Sequence, residues 1–283
     1  MSGATIDHSA PTASAPGPVA PFLPDRFHSA VPFYVEGRLD YSRRLIQHVA
    51  ASLRLSTGAH VLDLGCGPGF LAIAFAELGC TALGIDPNKG MLAAARELAA
   101  KHAVSCEFRE GSSYGLGPEL GRFKLVTMGR SFHWMDRAGT LRALDAIVEP
   151  RGAVALFGDH HVKCRENNWV EAFEAARLRF EGRDEFTRLR KSGKIDGHET
   201  VLIDSAFACL DRLGVVERRT VSIEALVARA LSYSASSPEK LGNRRLQFEA
   251  AVREAISPFA ENRSLTELVE FSALVAQRPQ SAG

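Results

Sequence analysis

The segment from Val61 to Phe70, VLDLGCGPGF, brings together residue types that can hold a small polar ligand: an acid, Asp63, followed by Gly65, Gly67 and Gly69, with Cys66 among them. Glycines at this density let the chain turn sharply and let a ligand approach backbone where a side chain would collide. Further on, ALGIDPNKGML offers a second acid, Asp86, followed by Pro87 and Asn88. At a spacing of about 20 residues from a glycine turn, such an acid can accept hydrogen bonds from both hydroxyls of a ribose. The register Gly67-x-Gly69-x-x-Ala72 also satisfies a dinucleotide pattern, so a nucleotide-dependent oxidoreductase is an alternative reading. Asp63 counts against it. A carboxylate near the amides of the turn is awkward beside a pyrophosphate and suits a cationic or hydrogen-bond-donating ligand.

These residues need a frame, and the hydrophobic periodicity supplies one. Apolar residues recur at helical spacing from Leu39 to Leu55, and a short apolar run, Val61 to Leu64, then leads into the glycines and a helical stretch from Phe70 to Leu78. The alternation continues with strands at 81–85, 104–108, 123–128 and 153–157 and helices at 88–102 and 137–148. Strands alternating with helices imply a parallel sheet covered on both faces. After Gly158 the pattern changes: residues about 159–205 read as an inserted helical cap, and about 223–262 as a further helical segment. Strand candidates at 215–222 and 268–278 could close the sheet antiparallel.

With this frame, the sequence resembles the class I S-adenosylmethionine-dependent methyltransferases, whose first motif has an acid followed by spaced glycines. The small-metabolite branch, including the trans-aconitate, quinone-precursor and malonyl-carrier-protein methyltransferases, is the nearest likeness. FYVEGRLDYSRRLI carries Tyr34, Arg38 and Tyr41, SFHWMDR carries His133, Trp134 and Asp136, and VEPRGAVALF matches the turn before strand five. The likeness covers roughly residues 30 to 158.

It implies a Rossmann-like α/β fold, a seven-stranded mostly parallel sheet with helices on both faces, and S-adenosylmethionine as cofactor. In the family the acid at Asp86 binds the ribose, and Pro87 then lies beside the adenine. Tyr34, Asp63, Cys66, Gly67 and Gly69 join the cofactor set. The backbone at Gly65 and the strand-four end at Gly129 and Arg130 are candidates for the ammonium of the amino acid end. Arg38 is the candidate fork for its carboxylate. Where the family commonly has an acid facing the adenine amino group, this chain has Gly111-Ser112-Ser113. Ser112 can still accept a hydrogen bond, more weakly than a carboxylate. His133 is the candidate base for a hydroxyl or carboxylic acid acceptor, with a pocket-wall role as its alternative.

Composition narrows the partner. In 283 residues, 34 Lys and Arg balance 33 Asp and Glu to a net charge of +1, far from the excess of a polyanion reader. Arg130-Ser131-Phe132-His133 stands where the family's base-methylating enzymes carry an aromatic tetrapeptide, so no nucleic acid partner is expected. The expected partner is a small molecule; a protein substrate is the alternative. Arg177, Arg179, Arg183, Arg188, Arg190, Lys191 and Lys194 outnumber Glu181, Asp184 and Glu185 in the cap, which would suit an anionic acceptor. The five cysteines are scattered and form no C-x-x-C pair, which argues against a disulfide framework or a metal site and for a cytoplasmic location. No apolar run reaches the length of a membrane span. Residues 1–25, rich in Ala, Pro and Ser, read as a flexible tail ahead of a single domain over 26–283.

Overall fold

The computed structural model describes Leu23 and residues 27–181 and 196–280. The expected tail lies almost wholly outside them, and so do Arg183, Arg188, Arg190, Lys191 and Lys194 of the basic stretch.

Seven strands form one sheet in the order β3-β2-β1-β4-β5-β7-β6. They are β1 His60–Leu64, β2 Thr81–Asp86, β3 Cys106–Glu110, β4 Phe123–Gly129, β5 Val148–His161, β6 Cys209–Ser222 and β7 Ser264–Gln277. Pairing is parallel from β3 through β5, and β7 runs antiparallel between β5 and β6. The expected antiparallel closure is therefore present. β1 and β4 are followed by chain segments that leave in opposite directions across the sheet, to β2 and to β5. A crevice must open where they part.

Two apolar layers sandwich the sheet. On one face Leu45, Ile46 and Val49 of α2 (Arg43–Ser52) and Leu71 and Phe75 of α3 (Phe70–Glu77) pack on Val61, Leu125, Phe157 and Phe271. On the other, Leu141, Leu144 and Ile147 of α5 (Arg137–Ile147) pack on Leu62, Val126, Val154 and Leu156. Every second residue of β1 thus serves one layer, as a strand buried on both faces requires. Between these helices, α4 (Lys89–Lys101) starts at Asn88, whose Oδ1 accepts the Met91 N–H at 3.0 Å. Asp136 caps α5 in the same way through Gly139.

Several boundaries differ from the periodicity. The expected helix over 39–55 begins only at Arg43, as α2, because Ser42 caps it by accepting the Leu45 N–H at 3.2 Å, and a separate helix, α1 (Val31–Gly37), precedes it. β5 runs on to His161, since Asp159, His160 and His161 pair with Phe271, Glu270 and Val269 of β7. β6 and β7 begin earlier than their apolar residues indicate, β6 because it is an edge strand with much of its length facing water. Beyond the sheet, α6 (Val170–Leu178), α8 (Ile223–Leu231) and α10 (Arg245–Ile256) share a separate apolar cluster around Trp169, Phe173, Leu226 and Phe248. The two expected helical segments therefore pack together. Of the intervening helices, α7 (His198–Ile203) joins the sheet's second layer through Leu202, and α9 (Pro238–Leu241) adds Leu241 to the cap cluster. Among the described residues no helix is long and apolar enough to cross a membrane.

Candidate functional site

The glycine turn closes over the end of β1. Gly65, Gly67 and Gly69 all have positive φ, at 69°, 54° and 83°. The Gly65 and Cys66 N–H groups donate to the Ile85 carbonyl at 2.8 and 3.1 Å, tying the turn to β2. Gly69 and Gly67 need their missing side chain for different reasons. A Cβ on Gly69 would stand 2.9 Å from the Phe108 ring, inside the protein's own packing. A Cβ on Gly67 would meet nothing nearer than Tyr34 Cε1 at 4.0 Å, so this glycine borders open space.

Asp86, at the end of β2, faces that space. Its Oδ2 accepts the Gly67 N–H at 2.9 Å and its Oδ1 the Asn88 N–H at 2.9 Å. Burial pushes its pKa up, against the pull of these two amides, and among the described residues no cation pairs with it. The cleft here spans about 870 Å³, counting the space at its mouth that is open to solvent. Of the residues expected from sequence, Tyr34, Gly65, Gly67, Asp86, Pro87, Ser112, Gly129 and Arg130 line it.

A smaller cavity of about 260 Å³ lies behind the turn and shares Tyr34, Gly65, Gly67, Gly129 and Arg130 with the cleft. Asp63 and Cys66 line this one. Asp63 is 1% exposed; its Oδ1 accepts from Thr127 Oγ1 at 3.0 Å and its Oδ2 from the Ala72 N–H at 3.2 Å. It therefore ties β4 and the first turn of α3 to β1. Burial pushes its pKa up to about 7, against the lowering effect of these two hydrogen bonds. Burial likewise pushes the Cys66 thiol well up, which suits a packed side chain rather than a thiolate nucleophile.

The other expected residues take more particular places. Arg130 follows Gly129 with φ 57°, a left-handed conformation unusual for a long side chain. Its guanidinium donates to Asp159 Oδ1 at 2.9 Å and to the Leu39 carbonyl at 3.1 Å, and stacks 4.5 Å from the Tyr41 ring centre. Arg130 is thus a wall of the cleft already neutralised by Asp159. Arg38 lies outside the lining, stacked 4.1 Å from the Tyr233 ring centre and 5.2 Å from that of Tyr34, with its Nη2 on the Ser232 carbonyl at 3.3 Å. Gly69 sits beneath the turn. His133 is half-buried and packs 4.7 Å from the Trp134 ring; Trp134, and not His133, lines the cleft. Arg177 is bonded to Glu174 and Glu181 and so adds little to a basic field.

The sequence reading missed Phe27, Leu64, Met91, Ser113, Tyr114, Ser131 and Met135 as lining residues. Phe27 reaches the site through ring contacts with Trp134 at 6.0 Å and Tyr34 at 6.4 Å. Met91 could have been found, since it stands on the first turn of α4, directly after the Asp86 segment. For Phe27 no local signal exists.

Comparison with known proteins bears on this arrangement. A family model described as a methyltransferase domain matches residues 61–152, the stretch that holds Asp63, the glycine turn, Asp86, Ser112, Gly129, Arg130 and His133. Over residues 61–152 the chain matches a methyltransferase domain. The ubiquinone biosynthesis O-methyltransferase of Pseudomonas aeruginosa (strain LESB58) is 36% identical over 101 residues, 35% of this chain and 44% of that protein. The namesake in Bradyrhizobium sp. (strain ORS 278) is 32% identical over 124 residues, 42% of this chain and 49% of its own length. This chain spans less than half the length of the curated relatives it matches. Among solved structures, a S-adenosylmethionine-dependent methyltransferase from Geobacter sulfurreducens in complex with S-adenosyl-L-homocysteine covers 89% of this chain and 98% of its own, with TM-score 0.50 and 15% identity. The [4+2]-cyclase SpnF covers 93% and 98%, with TM-score 0.53 and 17% identity. These two likenesses establish the fold of the methyltransferase domain and, at such identity, the fold alone.

Proposed function

We propose that this chain transfers the methyl group of S-adenosylmethionine to an oxygen of a small molecule. The carrying observation is the pairing of Gly67, whose missing side chain leaves the turn open to a ligand, with Asp86, an uncompensated carboxylate in the same cleft. A nucleoside bearing a cationic amino acid end fits both: Asp86 takes the ribose hydroxyls, and the turn lies against the chain beyond them. When bound, the cofactor supplies an electrophilic methyl carbon on a sulfonium.

The protein's own work is placement. Asp63 holds β1, β4 and α3 together beneath the turn and contributes negative potential to the smaller cavity, where an ammonium is favoured. Arg130, fixed by Asp159 and Leu39, and Tyr34, packed on Phe70 at 6.4 Å, set the wall around Gly129. Pro87 and Ser112 border the base, and Gly65 and Cys66 keep the turn against β2. Arg38 takes the carboxylate of the amino acid end by turning from Ser232. Aligning a nucleophile with the methyl carbon is worth on the order of 7 to 11 kcal/mol, so no triad is needed. His133 lies outside the lining and packs on the cleft's Trp134, which favours its pocket-wall role over that of a base. An oxygen acceptor is favoured over nitrogen or carbon by the similarity to the ubiquinone biosynthesis O-methyltransferases. The acceptor's charge rests on the sequence of the basic stretch alone. A cytoplasmic location is part of the same proposal.

Isothermal titration of the full chain with S-adenosylhomocysteine tests the site. Binding should be saturable, weakened about 10- to 100-fold by Asp86→Ala, as expected for losing hydrogen bonds to a charged group, and weakened strongly by Gly67→Val. Unchanged affinity in both variants would overturn the assignment.

A further inference from the structure

We infer that Gly37 and Arg229 are positioning residues for the cofactor: through its contact with α1, the helical cap sets the gap between Tyr34 and Gly67. This rests on the cofactor reading above. The two walls of that gap come from different parts of the fold. Gly67 belongs to the turn that Ile85 and Asp86 tie to β2, and the atom nearest to its missing side chain is Tyr34 Cε1, 4.0 Å from where a Cβ would stand. A ligand lying over Gly67 therefore has the Tyr34 ring as its opposite wall. Tyr34 stands on α1, so the height of that wall is decided by what holds α1.

The cap holds it. Beyond Tyr34, Gly37 lies backbone to backbone on α8: a Cβ there would stand 2.1 Å from the Arg229 nitrogen, 2.4 Å from the Ala228 carbonyl carbon and 2.5 Å from the Arg229 Cα. Backbone cannot yield as a flexible side chain does, so this approach needs a glycine. Arg229 then fastens it. Its Nε donates to the Gly37 carbonyl at 2.8 Å, while Nη1 and Nη2 donate to the two carboxylate oxygens of Glu267 at 2.7 and 3.3 Å. Glu267 stands on β7 and also faces His161 of β5, so one guanidinium joins the sheet to the last carbonyl of α1. The other end of α1 is held as well. Ser29, just ahead of it, accepts the Glu239 N–H of α9 at 3.2 Å, and the Arg245 guanidinium of α10 lies 5.0 Å from the Phe33 ring centre. Three helices of the cap thus grip α1, while Tyr34 on the same helix lines the cleft.

The test is titration of the full chain with S-adenosylhomocysteine, with folding checked by thermal unfolding. Gly37→Ala must push α1 off α8 by about 1 Å or more to reach ordinary contact, and should weaken binding about tenfold or more. Arg229→Lys keeps a cation for Glu267 but loses the fork that also reaches Gly37, and should weaken binding in the same direction by a smaller factor. In a Tyr34→Ala background, where the wall is already gone, neither change should weaken binding further. A role confined to stability would lower the unfolding temperature and leave the affinity where it was. Unchanged affinity in both folded variants, or an effect that persists in full without the Tyr34 ring, would overturn the inference; should Gly37→Ala not fold, Arg229→Lys decides by the same two outcomes. Failure of S-adenosylhomocysteine to bind the unaltered chain would instead overturn the cofactor reading.

Discussion

The sheet from β1 to β5 and the antiparallel extension with its helical cap both bury charge, and they treat it in opposite ways. At the ends of β1 and β2, Asp63 and Asp86 are held by neutral donors and no cation, and burial raises the pKa of each. In the extension, Glu267 is equally buried but accepts from Arg229 Nη1 at 2.7 Å and faces His161 Nε2 at 3.1 Å, while Arg229 Nε donates to the Gly37 carbonyl at 2.8 Å. Burial works against the charge of Glu267, and these partners outweigh it and hold the pKa near 2. A buried charge completed by the chain's own residues serves the fold. One left without a counter-charge costs stability and makes sense where a ligand completes it.

The largest expected effect attacks the completed network. Arg229→Ala leaves the buried Glu267 with only His161 beside it, and should cost about 3–5 kcal/mol in denaturant unfolding; Asp86→Ala, by contrast, should leave the unfolding midpoint nearly unchanged while weakening ligand binding about 10- to 100-fold. If both variants lost stability alike, the contrast between the regions would fail.

The two glycines sharpen the same division. A left-handed non-glycine residue costs roughly 1–2 kcal/mol, which Gly67→Ala and Gly69→Ala share. Gly69→Ala adds the collision with Phe108 and should be clearly the less stable by thermal unfolding, whereas Gly67→Ala should be the weaker ligand binder relative to its stability. The reverse ranking would place the ligand on the wrong side of the turn.

The pH dependence of unfolding separates the two acids. The folded pKa of Asp63, about 7, lies above its ordinary 3.8, so the folded state holds the extra proton and Asp63 contributes falling stability as pH rises from about 4 through 7. Glu267 runs the other way: its folded pKa, about 2, lies below 4.5, so its contribution is present above about pH 4.5 and lost as pH falls toward 2. Asp63→Asn should flatten the first slope and leave the second. The smallest effect belongs to the surface, where Arg43→Ala removes an exposed pair with Glu77 and should change stability by less than about 1 kcal/mol.

What sequence could disclose follows this division as well. β1, the glycine turn and Asp86 are read from neighbours a few residues apart, because strand, turn and helix signals there are local. Ser42 shows the limit of that approach: a single capping hydroxyl starts α2 at Arg43, inside a run that looks helical from Leu39. Asp159 and His161 look like loop residues and become strand only through β7, more than 100 residues away. Arg38 shows the same limit in the site, since its stacking on Tyr233 depends on α8 crossing α1 at Gly37, where even a Cβ would stand 2.1 Å from the Arg229 nitrogen. Trp134 rather than His133 facing the cleft is decided by the short turn after Gly129, which no periodicity encodes.

The most direct measurement incubates the full chain with methyl-labelled S-adenosylmethionine and a size-fractionated lysate. Label should appear in the low-molecular-weight fraction, and at subsaturating cofactor the Asp86→Ala variant should reduce it about 10- to 100-fold. Label confined to macromolecules, or transfer undiminished in Asp86→Ala, would contradict a small-molecule methyltransferase built on this cleft.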